Sequence, residues 1–205
     1  MLNDKELYRE LGALTKRKED WRANIAYVGA LLDVGANNDS PSPKITAKAL
    51  WLLGEMGLLY LEETAPYAEK IASFLDSQED ILRERALNAL GRIGRARFEI
   101  VKPYWEKMFE RASDDNPRVR LAFIWASENI ATSTPDVYEF HLPLFAALLH
   151  DTDDKVRMEA PEMFRVMGKR RPQWVKPYLD ELQRLAEDDV NPVVRIHCAG
   201  AIRML

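Results

Sequence analysis

An all-α solenoid of about five stacked helix pairs behind one capping helix is the fold class this sequence predicts, on three observations. A helix-patterned module recurs every 37 residues, its apolar positions keep a helical period, and short acidic turns fall at matching points between the helices. The module is clearest at Leu82-Arg83, Ala86, Leu90, Gly91, Ile93 and Gly94. One period earlier stand Ile45, Ala49, Leu53, Gly54, Met56 and Gly57. One and two periods later stand Val119-Arg120, Phe123, Ser127, Ile130, Ala131 and Val156-Arg157, Ala160, Phe164, Met167, Gly168. A last copy, Val194-Arg195, Cys198, Ile202 and Leu205, follows after 38 residues.

The capping segment, 1–18, holds a helix from Asp4 to Arg17, with Leu7, Tyr8, Leu11 and Leu14 on one face and Asn3/Glu6 as a capping box. Repeats follow at 19–57, 58–94, 95–131, 132–168 and 169–205. Their first (A) helices are expected near 20–35, 62–75, 98–112, 137–149 and 172–186, and their second (B) helices near 43–57, 80–94, 117–131, 154–168 and 192–205. The A-to-B turns, Asn38-Asp39-Ser40, Asp76-Ser77, Asp114-Asp115-Asn116, Asp151-Thr152-Asp153-Asp154 and Asp188-Asp189, offer carboxylates to the free N–H groups that open each B helix. Gly followed by Arg or Lys suits the B-helix C-termini. The extra residue of the last repeat is expected in its acidic turn.

Composition limits the function classes. In 205 residues, 47% hydrophobic and 30% charged, one continuous globular domain is expected and wholesale disorder is not. No apolar run approaches the roughly 20 residues a bilayer span needs, and the polar start Met1-Leu2-Asn3-Asp4-Lys5-Glu6 does not read as a signal peptide. The single cysteine, Cys198, rules out an internal disulfide and a multi-thiolate metal site, so a cytoplasmic location is expected. A net charge of −4 gives no general attraction to nucleic acid or anionic membranes.

These repeats resemble HEAT repeats, over about residues 20 to 205. The residues that carry the resemblance are the Asp-to-Arg pairs six apart (Asp114/Arg120, Asp151/Arg157, Asp189/Arg195) and the A-helix prolines in Pro66-Tyr67, Pro103-Tyr104 and Pro177-Tyr178. The resemblance implies a right-handed superhelix, with the aspartates and arginines forming a structural ladder between repeats and the B helices lining a concave groove. An interior proline should bend each A helix. Three departures stand out. Thr46 replaces the ladder arginine of the first repeat, Pro143 comes three residues late in the fourth A helix, and Pro161 should kink the fourth B helix.

Counted from the first residue of each Val-Arg column, positions +4, +8 and +11 are apolar or small and form the buried stripe. Positions +2, +3, +6 and +10 fall on the opposite face and diverge between repeats. That face holds the candidate partner-binding residues Trp51, Arg85, Asn88, Arg92, Leu121, Trp125, Met158 and Glu162. Trp51 and Trp125 share position +6 two repeats apart, about 20 Å along the groove. Either each packs on its neighbouring B helix, or both present indoles to a partner.

No catalytic constellation emerges. His141, His150 and His197 match no metal-binding spacing, Cys198 sits at a buried position, and the pair Glu159/Glu162 lacks a metal partner. No catalytic residue, metal or cofactor is assigned. The B-to-A turns carry Lys16-Arg17-Lys18, Arg95, Arg97 and Lys169-Arg170-Arg171, a basic edge open to two readings: a phosphate-binding rim or helix C-terminal charge compensation. Alkylpurine DNA glycosylases built of HEAT-like repeats place an aspartate in the groove, and no groove position here holds one. HEAT-like phycobilin lyases are a second enzymatic precedent, and no residue here marks a tetrapyrrole site. The expectation is a non-enzymatic scaffold or adaptor that grips a protein or peptide segment on its concave face. Self-association through the last repeat is open, and neither nucleic acid nor membrane is the expected partner.

Overall fold

The computed structural model describes residues 3–33 and 41–205, all helix and turn. The expected turn Asn38-Asp39-Ser40 lies outside the described residues, as do Met1 and Leu2. In chain order the helices are α1 (Asp4–Lys16), α2 (Trp21–Ala30), α3 (Pro43–Gly57), α4 (Leu61–Thr64), α5 (Ala68–Ser73), α6 (Asp80–Ala96), α7 (Phe98–Val101), α8 (Trp105–Glu110) and α9 (Pro117–Ser133). They continue as α10 (Leu142–Leu148), α11 (Asp154–Arg170), α12 (Pro172–Val175), α13 (Leu179–Asp188) and α14 (Pro192–Ile202).

The B helices α3, α6, α9, α11 and α14 pack in that order as one row, and the A segments form the second layer against them. α1 docks on α3 as the cap, its start closed by the expected box: the Glu6 amide donates to Asn3 Oδ1 (3.1 Å) and the Asn3 amide to Glu6 Oε2 (3.0 Å). Leu11 and Leu14 are buried, and the Trp21 indole N–H donates to the Leu14 carbonyl at 2.8 Å. Tyr8 leaves the expected apolar face; it is 41% exposed, with the Lys44 ammonium 4.3 Å from its ring centre.

The prolines do more than bend the A helices. At Ala65–Tyr67, Lys102–Tyr104 and Lys176–Tyr178 the chain tightens into a 3-10 turn that divides each A helix in two. The missing N–H of proline and its ring leave no room for regular α-helical bonding there. In the fourth repeat the A helix starts only at Leu142, so Pro143 occupies its first turn, where proline costs nothing, and Pro135–Tyr138 forms a separate 3-10 turn. Pro161 does not interrupt α11, which runs through it from Asp154 to Arg170.

The extra residue of the last repeat is not in the acidic turn. Asp189–Asn191 superposes in bonding on the earlier turns, with the Asn191 amide donating to Asp189 Oδ1 (2.8 Å) as the Asn116 amide does to Asp114 (3.0 Å) and the Asp153 amide to Asp151 (2.8 Å). The insertion is absorbed in α13, ten residues of continuous α-helix, where the third repeat has six α-helical residues followed by a three-residue 3-10 turn. A 3-10 turn rises about 2.0 Å per residue against about 1.5 Å, so both segments span about 15 Å and the next B helix starts in register.

The glycines near the B-helix ends are not C-caps. α6 continues two residues past Gly94 and α11 two past Gly168, and no described glycine has positive φ. Close packing explains Gly57 and Gly94, where a Cβ would stand 2.8 Å from Ile93 Cγ1 and 2.7 Å from Val101 Cγ2. The backbones approach closer still one turn earlier, at Gly54 and Gly91. A Cβ on Gly54 would stand 2.7 Å from Ala89 Cα, and one on Gly91 would stand 2.5 Å from Ala126 Cα. The buried stripe holds through four repeats but opens in the last, where Ile202 is half-buried and Leu205 is 39% exposed.

Candidate functional site

The ladder is built along one edge of the helix row. Arg83 and Arg120 each span two repeats. Arg120 Nη1 donates to the Asp114 carbonyl six residues earlier (2.7 Å), while its Nε and Nη2 grip both oxygens of Asp151 in the next repeat at 2.7 Å. Arg83 does the same with the Ser77 carbonyl (2.8 Å) and the Asp114 carboxylate (2.7 and 2.8 Å). Arg157 reaches the Asp151 carbonyl (2.8 Å) but stands 3.9 Å from Asp189, and Arg195 holds the Asp189 carbonyl (2.6 Å). Burial opposes ionisation of Asp114 and Asp151, but the arginine and backbone hydrogen bonds outweigh it and hold both below the usual carboxylate range. The rung between repeats one and two is missing at both ends: Thr46 stands for the arginine and Ser77 for the aspartate. No unpaired buried charge is left. Asp76 lies beside this position and pairs with Lys107 at 2.6 Å.

Four arginines of the basic edge make structural contacts, while Lys16, Lys18 and Lys169 are exposed. Arg97 pairs with Glu62 and Arg171 with Asp136, each at 2.6 Å across adjacent repeats, and Arg17 with Asp20 at 3.3 Å. Arg170 donates to the Thr132 carbonyl (2.8 Å). Of these contacts only the Arg170 bond caps a helix-end carbonyl; the others are ion pairs between side chains.

On the B-helix face the eight candidate residues separate into presented and engaged groups. Trp125 is 38% exposed. Trp51 is half-buried against the core, and the Lys48 ammonium lies 4.4 Å from its ring centre. Arg92 is held by Glu55 (2.6 Å) and donates to the Asn88 carbonyl (3.1 Å), while the Asn88 side chain is buried at the floor, 7% exposed. Leu121 and Met158 are half-buried against the core. Glu162 is bonded by Arg165 and stands 3.4 Å from His197 Nδ1.

Two chemically different regions result. Over α1, α3 and α6, Tyr8, Lys44, Lys48, Trp51, Ile81 and Arg85 line an open groove of ≈ 600 Å³. Burial, and then the Arg85 charge, push the Lys48 ammonium below its ordinary value. Over α9, α11 and α14 the face is acidic. Burial raises Glu128 to about 9, with Glu159 and Glu162 adding to the shift and Arg165 opposing it. Glu159 is raised by burial too, against a polar contact from Trp125. Glu128 Oε1 is buried without a hydrogen-bond partner. The sequence reading passed over Glu128. Its signal was the +9 column, which holds Gly54 and Gly91 at the close helix contacts and then a glutamate.

The remaining candidates sit in packed or paired positions. Burial pushes the Cys198 thiol up to about 12, with Asp189 and Glu181 adding to it. His150 pairs with Glu181 at 2.6 Å, and His141 packs at a tilt on Phe109 with ring centres 4.3 Å apart. Among the described residues no group of three or more His, Cys, Asp or Glu side chains could hold a metal ion, and no helix is long and apolar enough to cross a membrane.

A family model described as the sister chromatid cohesion protein PDS5 protein matches residues 64–199, about two thirds of the chain. The chain belongs to this family. Its repeats are of the HEAT-like kind that the Asp–Arg register indicated. Among solved structures, an engineered protein from a structural-genomics programme aligns with a TM-score of 0.75 at 18% identity, covering 98% of this chain and 89% of the other. A designed armadillo repeat protein in complex with the peptide (KR)4 aligns with a TM-score of 0.69 at 18% identity, covering 98% and 91%. At such identities these likenesses confirm the helical solenoid fold alone. No curated protein sequence matches the chain.

Proposed function

We propose that the chain is a non-enzymatic scaffold or adaptor that binds a peptide segment of another protein across its B-helix face. One observation carries the proposal: the side chains that break the 37-residue register collect on that face, with Trp125 exposed at its middle and the Trp51 groove beside it. Aromatic side chains held by a packed scaffold make contact area at little ordering cost, which is how a preformed surface binds tightly. The peptide seen with a designed armadillo neighbour is consistent with this use of the fold. A cytoplasmic setting, with the single cysteine reduced, belongs to the same proposal.

Selection of binders from a random peptide library on the full chain tests it. Enriched peptides should lose affinity for the Trp51→Ala/Trp125→Ala variant while its melting transition stays cooperative. Binders indifferent to both substitutions would place recognition elsewhere. Exposed Ile196 favours self-association through the last repeat as an additional contact. Light scattering should then show a concentration-dependent dimer that Ile196→Glu dissolves.

A further inference from the structure

The two regions of the B-helix face differ in charge, in depth and in what they leave unpaired. In the groove over α3 and α6, Lys44 and Lys48 have no carboxylate partner among the described residues, and both lie on aromatic rings. Arg85 adds a third cation, 3.4 Å from Glu84. With Trp51, Tyr8 and Ile81 beside them, these cations fit a carboxylate next to a bulky apolar side chain. Over α9 and α11 the situation inverts. Arg165 is bound to Glu162, and among the described residues neither Glu128 nor Glu159 makes an ion pair, although Arg165 lies near both and His197 near Glu159. Trp125 stands beside them, partly exposed. A basic side chain arriving there meets two carboxyl groups and an indole, and its charge draws off the proton that burial holds on Glu128.

Resting on the reading of this face as a peptide site, we propose that its occupant is an extended partner segment with segregated charge. It carries carboxylate and bulky apolar side chains over Lys44, Lys48 and Arg85, and basic side chains over Glu128 and Glu159. Neighbouring helices lie about 10 Å apart, so α6 and α11 are roughly 20 Å apart, and an extended chain at about 3.3 Å per residue crosses that distance in about six residues. The two charged ends must therefore be separated by a neutral or apolar stretch of about that length.

Labelled synthetic peptides of roughly 12 residues, long enough to span both ends, test the charge order by fluorescence anisotropy on the full chain. One has an acidic-aromatic block and a basic block at its two ends, and an isomer of identical composition interleaves the charges. The segregated peptide should bind at least about tenfold tighter. The Lys44→Glu/Lys48→Glu variant, altered at two solvent-reaching positions and checked for an unchanged melt, should abolish that preference. Equal affinities for the two isomers overturn the proposal, as does no binding of the segregated peptide up to about 1 mM. Library-selected peptides that still need Trp51 and Trp125 would then show the groove reading standing without the charge order. If those fail too, both fall.

Discussion

Glu128→Gln should stabilise the protein increasingly as pH rises. The Glu128 carboxyl, ordinarily ionising at 4.5, is raised to about 9 by burial between α9 and α11 and by Glu159 and Glu162. The folded state thus keeps a proton that the unfolded chain gives up above pH 4.5. For a raised acid the sign follows directly: stability is fully present below 4.5, falls as pH rises and levels off near 9. At about 1.4 kcal/mol per pH unit, the native protein at pH 7 forgoes up to about 3 kcal/mol, reduced by whatever water or side-chain relaxation reaches the site. Glutamine keeps the shape and a polar end without the ionisation. Urea unfolding of both proteins from about pH 5 to about pH 8 should show a stability difference that starts near zero and widens with pH. A difference constant across that range would refute the argument that Glu128 is held neutral. Such a costly acid in a face-lining position fits a group kept for a partner's cation rather than for stability.

The ladder and the glycine contacts give further expectations. Asp151→Ala leaves the Arg120 guanidinium buried without its carboxylate and should cost about 3 kcal/mol in denaturant unfolding, whereas Lys107→Ala, which removes only an exposed pair with Asp76, should cost under about 1 kcal/mol. Because Asp114 and Asp151 are held below 3.8, their contribution is present above that pH and is lost as pH falls through the lowered values. Acid titrations of Asp114→Asn/Asp151→Asn should therefore show a shallower loss below about pH 4 than the parent. Gly91→Ala, forced against the Ala126 backbone at 2.5 Å, should destabilise by about 2 kcal/mol, while Gly12→Ala, with open space around it in α1, should stabilise by up to about 1 kcal/mol. Cys198 should resist maleimide in the native protein near neutral pH and react on unfolding, since its thiol is buried and raised to about 12.

The ladder shows where reading the sequence succeeded and stopped. The spacing of Asp114, Arg120, Asp151 and Arg157 marked these residues for a ladder, and in the structure Arg120 bonds the Asp114 carbonyl and the Asp151 carboxylate while Arg157 bonds the Asp151 carbonyl. Which aspartate each arginine grips was not legible, because the carboxylate contact reaches into the next repeat while the six-residue spacing reports only the carbonyl contact within its own. The same limit hid Ser77, which replaces the aspartate only when the chain is aligned by bonding instead of by the nearest acidic residue. On the candidate site, the columns found Trp51 and Trp125 but not that Asn88 is the floor, that Arg92 is held by Glu55, or that Tyr8 crosses from the cap into the groove.

By itself the sequence determined the helical period, the order of A and B helices, the buried stripe and the face opposite it. These follow from local chemistry repeated 37 residues apart: apolar spacing, prolines and helix-start carboxylates. Only the tertiary structure decided how charge is distributed on that face and which groups go unpaired. Each pairing depends on the distance between side chains from different repeats, as where Glu128 follows two close glycine contacts and meets Glu159 in a buried space. A carboxyl group's charge depends on the solvent and neighbours that packing leaves it, and no spacing along the chain records either.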